Sequence, residues 1–344
     1  AMGTSVGSGA VTIKQAIIIA VIFEFAGAIL AGGEVTATIR KGILDAALFT
    51  NEPHLLVYGM LASLLAAGTW LLIASSLGWP VSTTHSIVGA IVGFGAVGVG
   101  VDAVDWDQVL KIVLSWVASP VLAGIISFML FRSLQTLIID TDDPFDNAKK
   151  YVPYYMFLVG FIVSLVTILK GLKHVGLSFD LFTSYSLSAG CGLIVALFGT
   201  LLIRGIHLNP DENKDFYYAS MERVFGVLMI ITAAAMAFAH GSNDVANAIG
   251  PLAAIYSVIE SGGVIGSKSA LPVWILLVGG AGIVVGLITY GHKVIATIGT
   301  RITHLTPSRG FAATLAAAAT VVIASGTGIP VSTTQVLVGA VLGV

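Results

Sequence analysis

The 344-residue chain is 56% hydrophobic and only 10% charged, with a mean hydropathy of +0.98. A soluble domain carries roughly a quarter charged residues, so a water-soluble globule is excluded and the solvent is lipid. The formal net charge of −2 leaves no basic patch for nucleic acid, and the lone Cys191 excludes an internal disulfide framework.

A membrane crossing needs roughly 20 apolar residues. Runs of that size lie at about 13–32, 55–77, 109–132, 154–173, 184–204, 221–240 and 271–291. Glu24 sits in the middle of the first, too far from either end to snorkel. It must be protonated, ion-paired or beside a water-filled cavity. It reads as a coupling-ion ligand or proton site, against the plainer reading of an interhelical hydrogen bond. The runs at about 81–99, 311–325 and 331–344 are short or broken by Pro and Gly. They are predicted to be re-entrant or half-helices that face the interior, because unpaired backbone at membrane depth is tolerated only there. Asp140–Pro153 and His207–Ser220 are the longest polar connections and read as solvated loops. Trp70, Trp79, Trp106, Trp116 and Trp274 include interface anchors; Lys14, Lys170, Lys173 and His174 sit near span ends. Basic residues fall on both sides of some helices, so orientation is not fixed by charge. The chain opens mid-pattern at Ala1 and stops inside an apolar run at Val344, and the native protein is expected to extend past both.

Two stretches repeat. Pro80-Val81-Ser82-Thr83-Thr84-His85 recurs as Pro330-Val331-Ser332-Thr333-Thr334-Gln335, each leading into a Gly-dotted apolar tail. Further matches pair Gly7-Ser8 with Gly266-Ser267, Gly27 with Gly286, Val35, Thr38, Ile39 and Ile43 with Val294, Thr297, Ile298 and Ile302, and Leu72–Ser75 with Val322–Ser325. This divides the chain into repeat one (1–100), an unpaired middle (101–240) and repeat two (241–344). Pro-interrupted segments in matching places of two halves point to a transporter binding site. Proline is favoured in the first turn of a helix. The hydroxyls and free N–H groups that follow, with the helix dipole, make an anion cradle without net charge. A Pro kink whose hydroxyls bond back to i−4 carbonyls is the plainer alternative. His85 against Gln335 breaks the symmetry. An acceptor there would favour monohydrogen phosphate, which carries an O–H, over sulfate, which carries none.

His240-Gly241-Ser242-Asn243-Asp244-Val245-Ala246-Asn247-Ala248 joins two apolar runs. Asn243 and Asn247 are four apart and share a helix face with Asp244 beside them. A carboxylate and amide carbonyls suit a hard cation such as Na⁺. The alternative is an ordinary loop, with Ser242 or Asn243 as N-cap of a following helix. His292 and His304 show no metal-ligand spacing, and no nucleophile or phosphate-loop motif occurs. An intramembrane enzyme using His240 and Asp244 as an acid/base pair therefore lacks a nucleophile.

At Gly241–Asn247, the two Pro-Val-Ser-Thr-Thr segments, Phe23-Glu24-Phe25 and Thr38-Ile39-Arg40-Lys41-Gly42-Ile43, the chain resembles the inorganic phosphate transporter family of sodium- or proton-coupled symporters. The resemblance implies an all-α, multi-pass integral membrane protein of the cell membrane, with inverted repeats containing re-entrant or broken helices. It also implies alternating access and a homodimer. Carried over, Ser82, Thr83, Thr84, Ser332, Thr333, Thr334 and Gln335 would contact phosphate. Asn243, Asp244 and Asn247 would hold Na⁺, with Glu24 lining the same cavity. The coupling ion would be Na⁺, with no other cofactor. The family carries its Asn-Asp signature in both halves; here the first copy would lie upstream of residue 1. Expected activity is secondary active phosphate transport by cation symport. Proton coupling, sulfate as cargo and a passive anion channel remain as alternatives.

Overall fold

The computed structural model describes residues 2–169, 177, 179–206, 214–264, 271–301 and 305–344. Lys170, Lys173, His174, Gly266, Ser267, Ile302 and His304 lie outside the described residues. Thirteen α-helices and no strand occur among the described residues. They are α1 (Gly3–Gly7), α2 (Ile13–Ala31), α3 (Gly33–Lys41), α4 (Pro53–Ser76), α5 (Thr83–Phe94), α6 (Trp106–Leu134), α7 (Pro144–Leu169), α8 (Leu181–Arg204), α9 (Lys214–Glu260), α10 (Val273–Gly286), α11 (His292–Arg301), α12 (Pro307–Gly326) and α13 (Thr333–Leu342). Single π-turns extend α5 over Gly95–Val99, α6 over Gln135–Ile139 and α10 over Leu287–Gly291. Eight helical segments among the described residues are long and apolar enough to cross a membrane. Their outward faces are apolar: Leu193, Ile194, Leu197, Phe198, Leu201 and Leu202 of α8 all stand exposed. Water would not tolerate such a surface, and lipid would. This is a multi-pass integral membrane protein.

Three expectations change. The His240–Ala248 stretch is no junction, because α9 runs unbroken through it for 47 residues. Its Gly, Ser, Asn and Asp favour turns when solvated. Here Ser242, Asn243 and Asn247 are buried, where leaving the helical ladder would orphan backbone groups. The Asp140–Pro153 loop is likewise mostly helix, since α7 starts at Pro144 behind Asp143, whose carboxylate accepts from Asp146 N. Pro in a first turn loses nothing by lacking an N–H. Lys149 and Lys150 then lie over the Phe145 and Tyr151 rings. The same holds for 214–220, which is the start of α9. Finally, the run at 311–325 belongs to a full 20-residue helix, α12, and it is almost wholly buried.

α9 is the central pillar, touching α2, α3, α4, α7, α10 and α12. Glycine sets how close its neighbours come. A Cβ at Gly27 of α2 would lie 2.1 Å from Phe238 O, and one at Gly241 of α9 would lie 2.1 Å from Glu24 O. Only hydrogen fits at either place, so α2 and α9 meet backbone to backbone beside Glu24 and His240. The same device joins α6 to α13, where Gly339 faces Pro120 O and Gly343 faces Gly124 O.

Candidate functional site

Two helix–turn–helix hairpins build the site from their tips. After α4, Gly78 takes φ +72°, Trp79 N bonds Ala74 O at 2.8 Å and Gly78 N bonds Ser75 O at 3.0 Å. After α12, Gly328 takes φ +75°, Ile329 N bonds Ala324 O at 3.1 Å and Gly328 N bonds Ser325 O at 3.0 Å. These are two matching Schellman stops, each needing a residue free to adopt positive φ. Pro80 and Pro330 follow two residues later. They terminate the incoming helix rather than occupy the first turn of the outgoing one, which corrects the sequence expectation. The outgoing helices are started by serine. Ser82 accepts from His85 N at 3.2 Å and Ser332 from Gln335 N at 3.3 Å. Thr83 and Thr333 are therefore the first residues of α5 and α13.

Both threonines converge on one carboxylate. Thr83 Oγ1 donates to Asp244 Oδ2 at 2.8 Å, and Thr333 Oγ1 donates to the same oxygen at 3.3 Å. Asn243 Nδ2 reaches Asp244 Oδ1 at 2.8 Å and also donates to Val331 O at 2.9 Å. Asn247 Nδ2 approaches Thr83 Oγ1 at 3.0 Å and Thr84 Oγ1 at 3.3 Å, while Thr84 Oγ1 donates to Val331 O at 3.0 Å. The two asparagines thus staple α9 to the two hairpins, one each. Asn247 Oδ1 is buried and makes no hydrogen bond.

His240 is the residue that the sequence reading left out of the site. It lies one turn before Asp244 on α9. Its Nε2 is 3.1 Å from Asp244 Oδ2, and its Nδ1 is 3.1 Å from Glu24 Oε1 on α2. The second contact is short but off-line, and Nδ1 makes no aligned hydrogen bond. Glu24 is 1% exposed and its Oε2 has no hydrogen-bond partner. A Glu24–His240–Asp244 row therefore runs from α2 to the two helix tips. The i, i+4 spacing of His240 and Asp244 was the signal available in the sequence.

A cavity of about 470 Å³ opens onto this row. Glu24, His240, Asp244, Thr83 and Thr334 line it, with Trp79, Thr289 and Tyr290 farther along its wall. Of the seven residues expected to contact phosphate, Thr83 and Thr334 face the cavity and Thr333 reaches it through Asp244. Ser82 and Ser332 serve as caps, and Thr84 braces the second hairpin. His85 packs against the Trp116 ring, centroids 3.9 Å apart, and neither His85 nor Gln335 lines the cavity. The acceptor nearest the helix tips is Asp244 instead. Trp116 donates from its indole N–H to Pro330 O at 3.3 Å, so it braces a hairpin turn rather than anchoring at an interface. Each hairpin tip is also tied down from outside. Thr38 Oγ1 of α3 donates to Gly328 O at 2.6 Å, and Lys293 Nζ of α11 donates to Ser76 O at 2.9 Å.

The profile of the phosphate transporter family matches residues 1–344. A Haemophilus influenzae protein named a phosphate permease is 54% identical over 343 residues, covering 100% of this chain and 81% of its own length. The chloroplastic inorganic phosphate transporter 2-1 of Arabidopsis thaliana is 43% identical over 366 residues, covering 100% of this chain and 62% of its own. A solved structure, described as the sodium-dependent phosphate transporter, superposes with a TM-score of 0.90 at 41% identity, covering 99% of this chain and 82% of its own. With two capped helix tips meeting on the Asp244 carboxylate and a family match over residues 1–344, the chain belongs to the phosphate transporter family.

Proposed function

We propose that this protein carries inorganic phosphate across a cell membrane together with Na⁺, by alternating access between two inverted repeats. The observation that carries the reading is the meeting of Thr83 and Thr333, first residues of two separate helices, on one oxygen of Asp244 beside the cavity. Two helix N-termini supply partial positive charge and hydroxyl donors at a point inside the bilayer, which suits a small oxyanion that must later be released. The matching Schellman stops and serine caps of the two hairpins support the two-repeat division. Its pieces are 1–100, 101–240 and 241–344.

Coupling follows from charge. A dianionic phosphate about 4 Å from the Asp244 carboxylate meets repulsion of about 8 kcal/mol at an effective dielectric constant near 20. Two charge-assisted hydroxyl bonds return about 3–6 kcal/mol. The anion therefore loses unless a cation arrives first. Asn247 Oδ1 and Glu24 Oε2, both buried without a hydrogen-bond partner, are oxygens of the kind that Na⁺ takes. A second reading is proton coupling, favoured by His240 standing between two carboxylates. Uptake of labelled phosphate into proteoliposomes separates the two. Concentrative uptake driven by an inward Na⁺ gradient at equal pH supports the proposal. Uptake driven only by a pH gradient replaces Na⁺ with H⁺, and uptake that never exceeds the outside concentration overturns coupled transport.

A further inference from the structure

We infer that Asp244 is a tethered occupant of the phosphate site, which the coupling cation must draw out before phosphate can enter. The inference rests on the phosphate reading above. Asp244 Oδ2 takes the Thr83 hydroxyl at 2.8 Å, the Thr333 hydroxyl at 3.3 Å and His240 Nε2 at 3.1 Å, while Oδ1 takes Asn243 Nδ2 at 2.8 Å. These are the donors that an entering oxyanion would use. A threonine hydroxyl has one proton to give. While both protons are committed to Oδ2, a phosphate oxygen that approaches either threonine hydroxyl meets a lone pair, with a like charge beside it. The carboxylate thus plugs the cradle with a group of the cargo's own chemistry.

The way out is visible beside it. Asn247 lies three residues along α9 from Asp244, with its Oδ1 buried and unbonded, and Glu24 Oε2 across the cavity is unbonded too. A cation shared between these oxygens and Asp244 gives the carboxylate a better partner than two hydroxyls. Rotation of the Asp244 side chain toward it frees both threonine protons. One event then removes the repulsion and vacates the cradle. Without a cation Asp244 returns to the helix tips and expels phosphate, so the same contact resists uncoupled leak in either direction. This order differs from that of a simple cation ligand. A ligand lost by mutation weakens binding, whereas a plug lost by mutation strengthens cation-free binding.

The test is equilibrium binding of labelled phosphate to the purified full chain, in choline buffer and in Na⁺ buffer. Asp244→Ala is expected to bind phosphate in choline about tenfold or more tightly than the unmutated protein does, with Na⁺ adding less than about twofold. Acetate, which restores the missing carboxylate as a free anion, is expected to compete with phosphate in Asp244→Ala and not in the unmutated protein. Asp244→Ser, whose shorter side chain also vacates the helix tips, is expected to gain in the same direction, and it serves if Asp244→Ala fails to fold. Glu222→Gln removes an equal charge from a residue that caps α12 and does not line the cavity, and its binding in choline is expected to stay within about threefold of the unmutated protein. No gain in Asp244→Ala and Asp244→Ser overturns the inference. So does an equal gain in Glu222→Gln, or a gain in Asp244→Ala that acetate does not reduce, either of which would make the effect one of net charge rather than occupancy. Labelled sulfate is read in parallel. A gain for sulfate in Asp244→Ala, with phosphate bound by no variant, overturns phosphate as cargo and leaves the plug standing.

Discussion

Replacing Gly241 by alanine tests how the site is assembled. The added Cβ would lie 2.1 Å from Glu24 O and 2.7 Å from both Glu24 C and Glu24 Cα. All three are backbone atoms, so no side-chain rotation relieves the clash. Ordinary contact needs roughly another 1.2 Å, which α2 and α9 must supply by moving apart. The His240–Glu24 contact, now 3.1 Å, bridges the same two helices and would stretch beyond about 4 Å. Overpacking of this kind costs about 1–3 kcal/mol, against about 0.5–1 kcal/mol that alanine gains over glycine inside a helix. The net expectation is a loss of stability together with a loss of coupled uptake. Gly226 on the same helix is the control, since a Cβ there meets nothing within 4 Å. Gly226→Ala should be neutral or slightly stabilising. Thermal unfolding of the detergent-purified protein and phosphate uptake read both. Equal melting temperatures for Gly241→Ala and Gly226→Ala would refute the close-approach argument.

Thr333→Val keeps the shape and removes the hydroxyl aimed at Asp244; phosphate affinity measured in saturating Na⁺ should fall by about 1–3 kcal/mol, and an unchanged affinity would take Thr333 out of the site. Thr38→Val deletes the 2.6 Å bond to Gly328 O that ties the second hairpin tip to α3. Unfolding measurements should show a loss of about 1 kcal/mol that Thr38→Ser restores, and equal loss in both variants would mean the hydroxyl is not the cause. Glu222 accepts from Ser308 N at 2.9 Å and from Ser308 Oγ at 2.7 Å, capping the start of α12. Glu222→Ala should destabilise by about 1–3 kcal/mol with little change in phosphate affinity in the folded fraction, and a stable variant would remove that cap from the account.

The sequence was most legible where local chemistry decides the structure. Gly78-Trp79-Pro80 and Gly328-Ile329-Pro330 carry the local chemistry of helix stops, and Ser82 and Ser332 that of helix starts, although the sequence reading gave the start to proline and named neither the glycine stops nor the serine caps. Glu24 announced itself by its cost in lipid, and it is indeed paired and beside a cavity. Legibility failed where burial overrides propensity. Gly241, Ser242, Asn243 and Asp244 read as the junction of two apolar runs because each of them favours turns in water, yet tertiary packing holds them inside one helix. It also failed for contacts between distant segments. Nothing in the repeat itself says that Thr83 and Thr333 would share one oxygen, or that Asn243 and Asn247 would each staple a different hairpin. His240 was visible as the partner four residues before Asp244, and only the approach of α2 at Gly241 shows that it also meets Glu24.

The most direct measurement is to locate the cargo. Arsenate has the shape and charge of phosphate and scatters anomalously at the arsenic edge. Crystals of the protein grown with arsenate and Na⁺ should show one anomalous peak within about 4 Å of both Thr83 Oγ1 and Thr333 Oγ1, with the Asp244 carboxylate turned away from them. A peak elsewhere, with Asp244 still bonded to both threonines, would contradict the account.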